Sequence, residues 1–248
     1  MIHFEKELIL AKEAAIAAGK ILLSDKKYLN HSIYSSDKDI KLKADIKAED
    51  LIKNILNTKS KFPILAEESG KSSNNLGEIF WVVDPLDGTA NYSRNISLCC
   101  VSIALIQNLK PVLGVIYDFN NNDLYEGSIN SKAVLNEREI CVSDVLFPRD
   151  GILITGLPND TDYSDHALME MIKGFQKWRK VRMLGSAALA AAYVASGKAD
   201  LYKEKRTYLW DVAAGAAILE AAGGCATMQN HNNLNQVDVF FSNSKIIE

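Results

Sequence analysis

The stretch WVVDPLDGTANY, residues 81–92, carries the strongest structural signal in the chain. An apolar run reaches Asp84, and a second carboxylate, Asp87, follows three residues later. Asp is a poor strand residue, and burying a carboxylate is costly unless it is paired or coordinates a metal. Pro85 disfavours helical backbone at the preceding residue, so we expect a strand that ends at Asp84. The rest of the chain must supply a partner for this acidic pair.

The next residues predict an anion site. Gly88 permits a tight turn, and Thr89 stands where a short helix can begin. The first N–H groups of a helix have no partner within it, so they can bind phosphate. Carboxylate oxygens beside phosphate suit Mg²⁺, and none of the four histidines lies in an acidic motif that would favour zinc. The alternative interpretation is an ordinary turn after a strand, with no functional role.

Composition narrows the class of protein. The 248 residues suit one large domain or two closely packed ones, and 48% apolar residues can build a sizeable core. A net charge of −3 without a long basic run argues against binding to a nucleic-acid polymer. Residues 1–20 carry charges every few positions, so we expect neither a signal peptide nor a membrane span, and a cytoplasmic protein.

Hydrophobic periodicity predicts helices over residues 4–24 and 45–56, then strand-like runs from 79 to 136 that suit a mostly antiparallel sheet. Strands and helices alternate further along the chain. We therefore expect an N-terminal half, residues 1–143, and a C-terminal α/β half, residues 144–248, in one compact layered α/β unit. The side chains expected to face inward from the second helix are Ile46, Leu51, Ile52 and Ile55.

Two further acidic sites have a similar setting. Glu67 and Glu68 follow an apolar run, and Asp211 follows Trp210 at the start of a predicted helix. Taken alone, the first pair suits a solvated loop, and an acid at a helix start is an ordinary stabilising choice. Beside the Asp84 pair they become candidates for one acidic cluster.

The segment DPLDGTANY, residues 84–92, resembles the hallmark of the inositol monophosphatase family of lithium-sensitive, Mg²⁺-dependent phosphomonoesterases. Residues 67–69, 182–200 and 210–224 are also similar to family motifs, and the resemblance spans roughly residues 5–245. It implies a five-layer α-β-α-β-α sandwich with the site between two sheets. It also implies a homodimer that acts on a small phosphorylated metabolite.

Carried over position by position, the resemblance implies two to three Mg²⁺ ions in each site. The implied ligands of the first ion are Glu67, Asp84 and the backbone carbonyl of Leu86. The implied ligands of the second ion are Asp84, Asp87 and Asp211. A third, weaker ion would rely on Glu67 and water, with Glu68 close by as part of the catalytic group.

The resemblance also implies catalytic and binding roles. Asp45 and the Thr89 hydroxyl would activate the attacking water, and the amides of Gly88 and Thr89 would hold the phosphate. The family usually has a Thr three residues before the acid matched to Asp45, and this chain has Leu42 there. The residues implied to line the substrate side are Gly185, Ser186, Ala187 and Glu204.

Several substrates and roles stay open. The DGTANY stretch and Glu204 favour inositol monophosphates, and the alternatives are 3′-phosphoadenosine 5′-phosphate, fructose 1,6-bisphosphate and histidinol phosphate. The cations that would either meet a second phosphate or lie in solvent are Lys203, Lys205, Arg206 and Arg94. A partner-binding member that keeps only the fold, or a metal-binding regulator, is the non-enzymatic alternative.

Overall fold

The structure is a computed structural model that describes residues 4–35, 40–157, 162–230 and 235–247. Its helices are α1 (Glu5–Ser24), α2 (Lys26–Leu29), α3 (Lys43–Lys59), α4 (Thr89–Ser93), α5 (Asp165–Phe175), α6 (Ala187–Ala195) and α7 (Leu209–Ala221). Its strands are β1 (Ser32–Ser35), β2 (Ile40–Leu42), β3 (Ile64–Ala66), β4 (Gly70–Lys71), β5 (Ile79–Asp87), β6 (Cys100–Gln107), β7 (Lys110–Asp118), β8 (Asp123–Ser128), β9 (Ser131–Leu135), β10 (Arg138–Glu139), β11 (Ile152–Thr155), β12 (Lys180–Arg182), β13 (Leu201–Tyr208), β14 (Cys225–Asn230) and β15 (Gln236–Ser242).

An eight-stranded sheet has the order β10-β9-β8-β7-β6-β5-β3-β4. Its neighbouring strands run antiparallel except β3 and β5, which run parallel, so the predicted mostly antiparallel sheet is confirmed. Helices α1 and α3 cover one face, where Leu22, Trp81 and Tyr92 are fully buried in a common core. The sheet therefore has one helical layer outside it.

The second sheet has five strands in the order β12-β11-β13-β15-β14. Helix α7 contacts β5 to β9 of the first sheet and β13 to β15 of the second, and α6 packs beside it. Phe175 of α5 packs against Leu153 and Leu201 of the second sheet, which makes α5 the outermost layer. The expected α-β-α-β-α sandwich is therefore confirmed.

Small residues set the spacing of the central helical layer. A Cβ atom on Gly114 of β7 would lie 2.1 Å from the carbonyl oxygen of Ala214 in α7. A Cβ atom on Gly215 would lie 2.3 Å from the Cβ atom of Ala191 in α6. Both separations are far shorter than a carbon contact, so α7 sits against its neighbours only because glycine occupies these positions.

Two local expectations were wrong. Strand β5 does not end at Asp84 but continues to Asp87, because an irregularity in its pairing with β6 between these residues accommodates Pro85. Ile46 does not face inward and is 41% exposed. The buried stripe of α3 instead includes Asp45 and Glu49, so acids occupy part of the inner face that the apolar pattern assigned to Ile46.

The first sheet ends at Glu139 and the second begins at Ile152. The boundary expected between residues 143 and 144 lies in the segment between them, and the division into two halves stays a prediction. Within the described ranges, no helix combines the length and the apolar character needed to cross a membrane.

Candidate active site

The acidic residues are brought together at one edge of the first sheet. Asp84 and Asp87 lie at the irregular end of β5, and Glu67 directly follows the adjacent parallel strand β3. Parallel neighbours end at the same edge, which places these carboxylates side by side. Asp211 enters the cluster from the first turn of α7, which packs against β5, and it lines the same cavity as Asp87.

The carboxylates of this cluster raise one another's pKa. Burial and neighbouring negative charges raise the pKa of Asp84 well above its ordinary value and that of Asp211 from 3.8 to about 7. Glu67 is an exposed residue, yet desolvation by the surrounding cleft and the charge of Asp211 raise the pKa of its carboxyl from 4.5 to about 8. Buried carboxylates are stable when they are paired or coordinate a metal, so this donor set fits hard divalent cations.

Among the residues that the structure describes, no three acidic, cysteine or histidine side chains already form a closed metal site. Two of the carboxylates, Asp87 and Asp211, instead accept hydrogen bonds from protein donors. Asp211 accepts hydrogen bonds from the Thr207 hydroxyl at 2.8 Å and the Tyr208 N–H at 3.0 Å. Side chains must therefore adjust when an ion enters, and the assignment of the metal ligands stays a prediction.

Asp87 is held by the start of α6, a hundred residues further along the chain. The Ser186 hydroxyl donates to its carboxylate, and the N–H groups of Ala188 and Ala187 donate at 2.8 and 3.3 Å. Ser186 and Ala187 were expected to line the substrate side, and they also border the neighbouring cavity. Their contact with Asp87 adds an orienting function that the sequence did not indicate.

The expected pair of Asp45 and Thr89 is in direct contact. The Thr89 hydroxyl lies 2.8 Å from Oδ1 of Asp45 and 2.9 Å from the carbonyl oxygen of Leu86. Burial raises the pKa of Asp45 to about 6, although hydrogen bonds from Thr89 and from the Leu42 N–H oppose the rise. Leu42, where the family usually has Thr, thus supports Asp45 through its backbone.

Gly88 makes the turn between β5 and α4. Its φ is +88°, and a Cβ atom there would lie 2.7 Å from the carbonyl oxygen of Leu98. Only glycine fits this conformation and this space. The turn places Gly88 and Thr89 as the sequence indicated, and their binding of phosphate stays a prediction.

A cavity of about 300 Å³ adjoins the cluster. The expected site residues that line it are Asp87, Gly185, Ser186, Ala187, Glu204 and Asp211. Burial raises the pKa of Glu204 to about 6, and the buried Tyr202 hydroxyl donates to it at 2.9 Å. The described residues that line this cavity include no Lys or Arg.

Glu68 and Arg94 are not among the described residues that line this cavity. Glu68 forms an ion pair with Lys41 of β2, and its catalytic role stays a prediction. Arg94 is an exposed residue at the end of α4 and is absent from the described lining of the cavity.

Sequence reasoning missed Glu49, which is buried on α3. Its carboxylate accepts the N–H groups of Glu68 and Ser69 at 2.8 and 3.1 Å. The available signal was its spacing, because Glu49 lies four residues after Asp45 and hence on the same face of the helix.

Comparisons with known proteins show which sequences and structures this chain is similar to. The model of the inositol monophosphatase family matches residues 4–247. Nus factor SuhB of Xylella fastidiosa is 39% identical over 216 residues, which cover 86% of this chain and 78% of the relative. Inositol-1-monophosphatase of Mesorhizobium japonicum is 34% identical over 216 residues, which cover 86% and 81%. The solved inositol monophosphatase from Anabaena has a TM-score of 0.85 and 35% identity, with 98% of this chain and 92% of that chain covered.

Proposed function

Since the chain belongs to the inositol monophosphatase family and is a phosphoric monoester hydrolase of that type, we propose that it dephosphorylates a polyol monophosphate with Mg²⁺. The observation that carries the proposal is the cavity beside the acidic cluster, which offers a partly buried carboxylate, Glu204, to the substrate. A carboxylate accepts hydrogen bonds from hydroxyl groups and repels phosphate. Inositol monophosphate is the model substrate, because it carries one phosphate and several hydroxyls.

The same cavity disfavours a substrate with a second phosphate. Tyr202 and Glu204 of β13 face the cavity, so Lys203 between them projects to the other side of the strand. Lys205 and Arg206 are also absent from the described lining. Bisphosphate nucleotides and sugar bisphosphates would thus meet a negative charge where they need a cation.

Family members are metal-dependent, and we assign Mg²⁺, two to three ions per site, to this chain. The residues that would hold these ions are Glu67, Asp84, Asp87, Asp211 and the carbonyl of Leu86. When bound, the ions supply positive charge that activates water and neutralises charge on the phosphoryl and leaving oxygens.

The protein's own residues move the proton and place the substrate. At neutral pH Asp45, with a pKa of about 6, is mostly ionised and can accept a proton through the Thr89 hydroxyl that contacts it. Ser186 and the N–H groups at the start of α6 orient Asp87. The backbone N–H groups of Gly88 and Thr89 would hold the phosphate.

The proposal includes three further properties. Li⁺ inhibition rests on the resemblance of residues 84–92 to the family hallmark, and a cytoplasmic location rests on the charges spread through residues 1–20. A homodimer is supported by α5, whose Met169 and Ile172 are 56% and 46% exposed. Exposed apolar residues grouped on one helix are typical of a protein–protein interface.

The test is a substrate panel with and without Mg²⁺. We expect the highest kcat/KM for inositol 1-phosphate, lower values for 3′-phosphoadenosine 5′-phosphate, fructose 1,6-bisphosphate and histidinol phosphate, and loss of turnover in chelator. Asp87→Asn is the matched variant, and it should keep the fold and lose at least about 100-fold in kcat/KM. Preference for a bisphosphate, or turnover that is independent of metal, would contradict the proposal.

A partner-binding role is the second candidate, because two relatives carry the name Nus factor SuhB. The two roles separate in Asp87→Asn, which removes hydrolysis without changing the outer surface. A cellular function that survives this variant would indicate the partner-binding role.

A further inference from the structure

We propose that Glu49 is a positioning residue that fixes the loop after β3 in the shape needed for metal binding. Glu49 lies on α3 and is only 2% exposed. A buried carboxylate requires compensation, and here two backbone N–H groups and a lysine provide it. The proposal rests on the proposed function only in taking Glu67 as a metal ligand.

The contacts of Glu49 hold consecutive peptide groups. Its Oε2 atom accepts the Glu68 N–H at 2.8 Å, and its Oε1 atom accepts the Ser69 N–H at 3.1 Å. The N–H of Glu67 itself donates to the carbonyl oxygen of Val83 in β5 at 3.1 Å. The backbone of Glu67 is therefore fixed by the sheet before it and by Glu49 after it.

The charges around Glu49 argue for positioning and not for ligation. Lys53 Nζ lies 3.5 Å from Oε1 of Glu49 and donates to the Ser69 hydroxyl at 2.8 Å. Both oxygens of Glu49 already accept N–H groups, and its charge is balanced by this lysine. We therefore assign the effect of Glu49 on the metal to the loop that it holds and not to direct ligation.

Helix α3 connects two parts of the site through this residue. Asp45, one turn earlier, contacts the Thr89 hydroxyl, and Glu49 holds the loop that follows Glu67. Residues four apart share a face of a helix, so one rigid element sets the distance between the proton acceptor and the metal loop. A defect at Glu49 should weaken metal binding and leave the chemical step intact once metal is bound.

The experiment measures Mg²⁺ binding to the full chain by calorimetry in Glu49→Gln, Glu49→Asp and the control Asp50→Asn. Gln keeps the length of the side chain and loses one acceptor, whereas Asp keeps the charge and falls short of the loop. We expect both Glu49 variants to raise the Mg²⁺ Kd about tenfold, and Asp50→Asn, an exposed acid on the same helix, to change it less than about twofold. At saturating Mg²⁺, kcat should return to the wild-type value in both.

Other outcomes would overturn the proposal. Wild-type Mg²⁺ affinity in Glu49→Asp with weak binding in Glu49→Gln would mean that charge, not position, is the contribution of this residue. Unchanged Mg²⁺ affinity in both Glu49 variants would show that Glu49 has no role in metal binding. If the variants fail to fold, hydrogen exchange of the metal-free wild type tests the contact instead. The amides of Glu68 and Ser69 must then exchange slowly, and rapid exchange would overturn the proposal. A wild type that binds Mg²⁺ but hydrolyses no phosphomonoester would contradict the proposed function and leave this test intact.

Discussion

At the scale of single residues, the cleft combines carboxylates that repel one another with donors that orient them. The Ser186 hydroxyl and two N–H groups act on Asp87, and Thr207 acts on Asp211. These hydrogen bonds favour the ionised carboxylates, whereas burial and mutual repulsion favour the protonated ones. The site is therefore prepared for a cation at some cost to the stability of the metal-free protein.

That cost predicts a pH dependence of stability. The folded pKa values of Glu67 and Asp211, about 8 and about 7, lie above their ordinary values of 4.5 and 3.8. The folded state therefore binds more protons than the unfolded state in this window, so stability is greatest below pH 4 for these groups and is lost as the pH rises through 7 to 8. In chelator, the free energy of unfolding in urea should fall between pH 5 and 8 by on the order of 1–3 kcal/mol.

Mg²⁺ at pH 8 should restore this free energy, because it supplies the missing positive charge. Asp211→Asn removes one of the repelling groups and should make the fall with pH smaller. Stability that rises from pH 5 to 8 in chelator would show that the carboxylates are not strained in the folded state.

Thr89 gives a second prediction at this scale. Thr89→Ala removes the hydroxyl that contacts Asp45, so kcat should fall about 100-fold while KM changes little. Thr89→Ser retains a hydroxyl and should keep most of the turnover. Steady-state kinetics at saturating Mg²⁺ measures both, and a change confined to KM would argue against proton transfer through Thr89.

At the scale of elements, the close approach of α7 to β7 is the most demanding contact. Gly114→Ala would place a methyl group against the backbone of Ala214, which cannot move without shifting the whole helix. Urea unfolding should show a loss of about 2–3 kcal/mol. Gly174→Ala in α5 is the matched control, because nothing lies within 4 Å of its added Cβ atom and alanine should stabilise the helix. Equal effects of the two substitutions would contradict this view of the packing.

The regular elements follow the sequence closely where one physical signal dominates. The amphipathic pattern over 4–24 predicts α1 within one residue, and the apolar runs between Gly, Pro and Asn predict β5 to β9 of the first sheet. Local patterns failed where tertiary contacts override them. The pairing of β5 with β6 carries its strand past Pro85, and buried acids on α3 displace Ile46 to the surface.

At the scale of the whole molecule, the exposed helix α5 leads us to predict a homodimer. No residue of α5, all of which the structure describes, is buried in the single chain. We expect light scattering to give twice the 27.4 kDa chain mass for the wild type and one chain mass for Met169→Glu. Lys47→Glu, an exposed charge change on α3, should stay dimeric. A wild type with the mass of one chain would contradict the homodimer.

The candidate site was partly predictable from sequence because some of its residues, like the regular elements, are encoded in local patterns. The acids stand in short motifs that resemble a known family, so Asp84, Asp87 and Asp211 could be named from sequence. The contact of Ser186 with Asp87 and of Glu49 with the Glu67 loop join distant segments, and no local pattern encodes them. The cavity around Glu204, whose described lining includes no Lys or Arg, likewise depends on which side of β13 each residue faces.

The separation of Asp87 and Asp211 along the chain also affects when the site can form during protein synthesis. The ribosome adds about 5–20 residues per second, so roughly 6–25 s separate the synthesis of Asp87 from that of Asp211. During that interval the nascent chain contains Asp84 and Asp87 but not Asp211, so the acidic cluster is incomplete. Catalytic competence is therefore acquired only after Asp211 has been synthesised and α7 has packed against the first sheet.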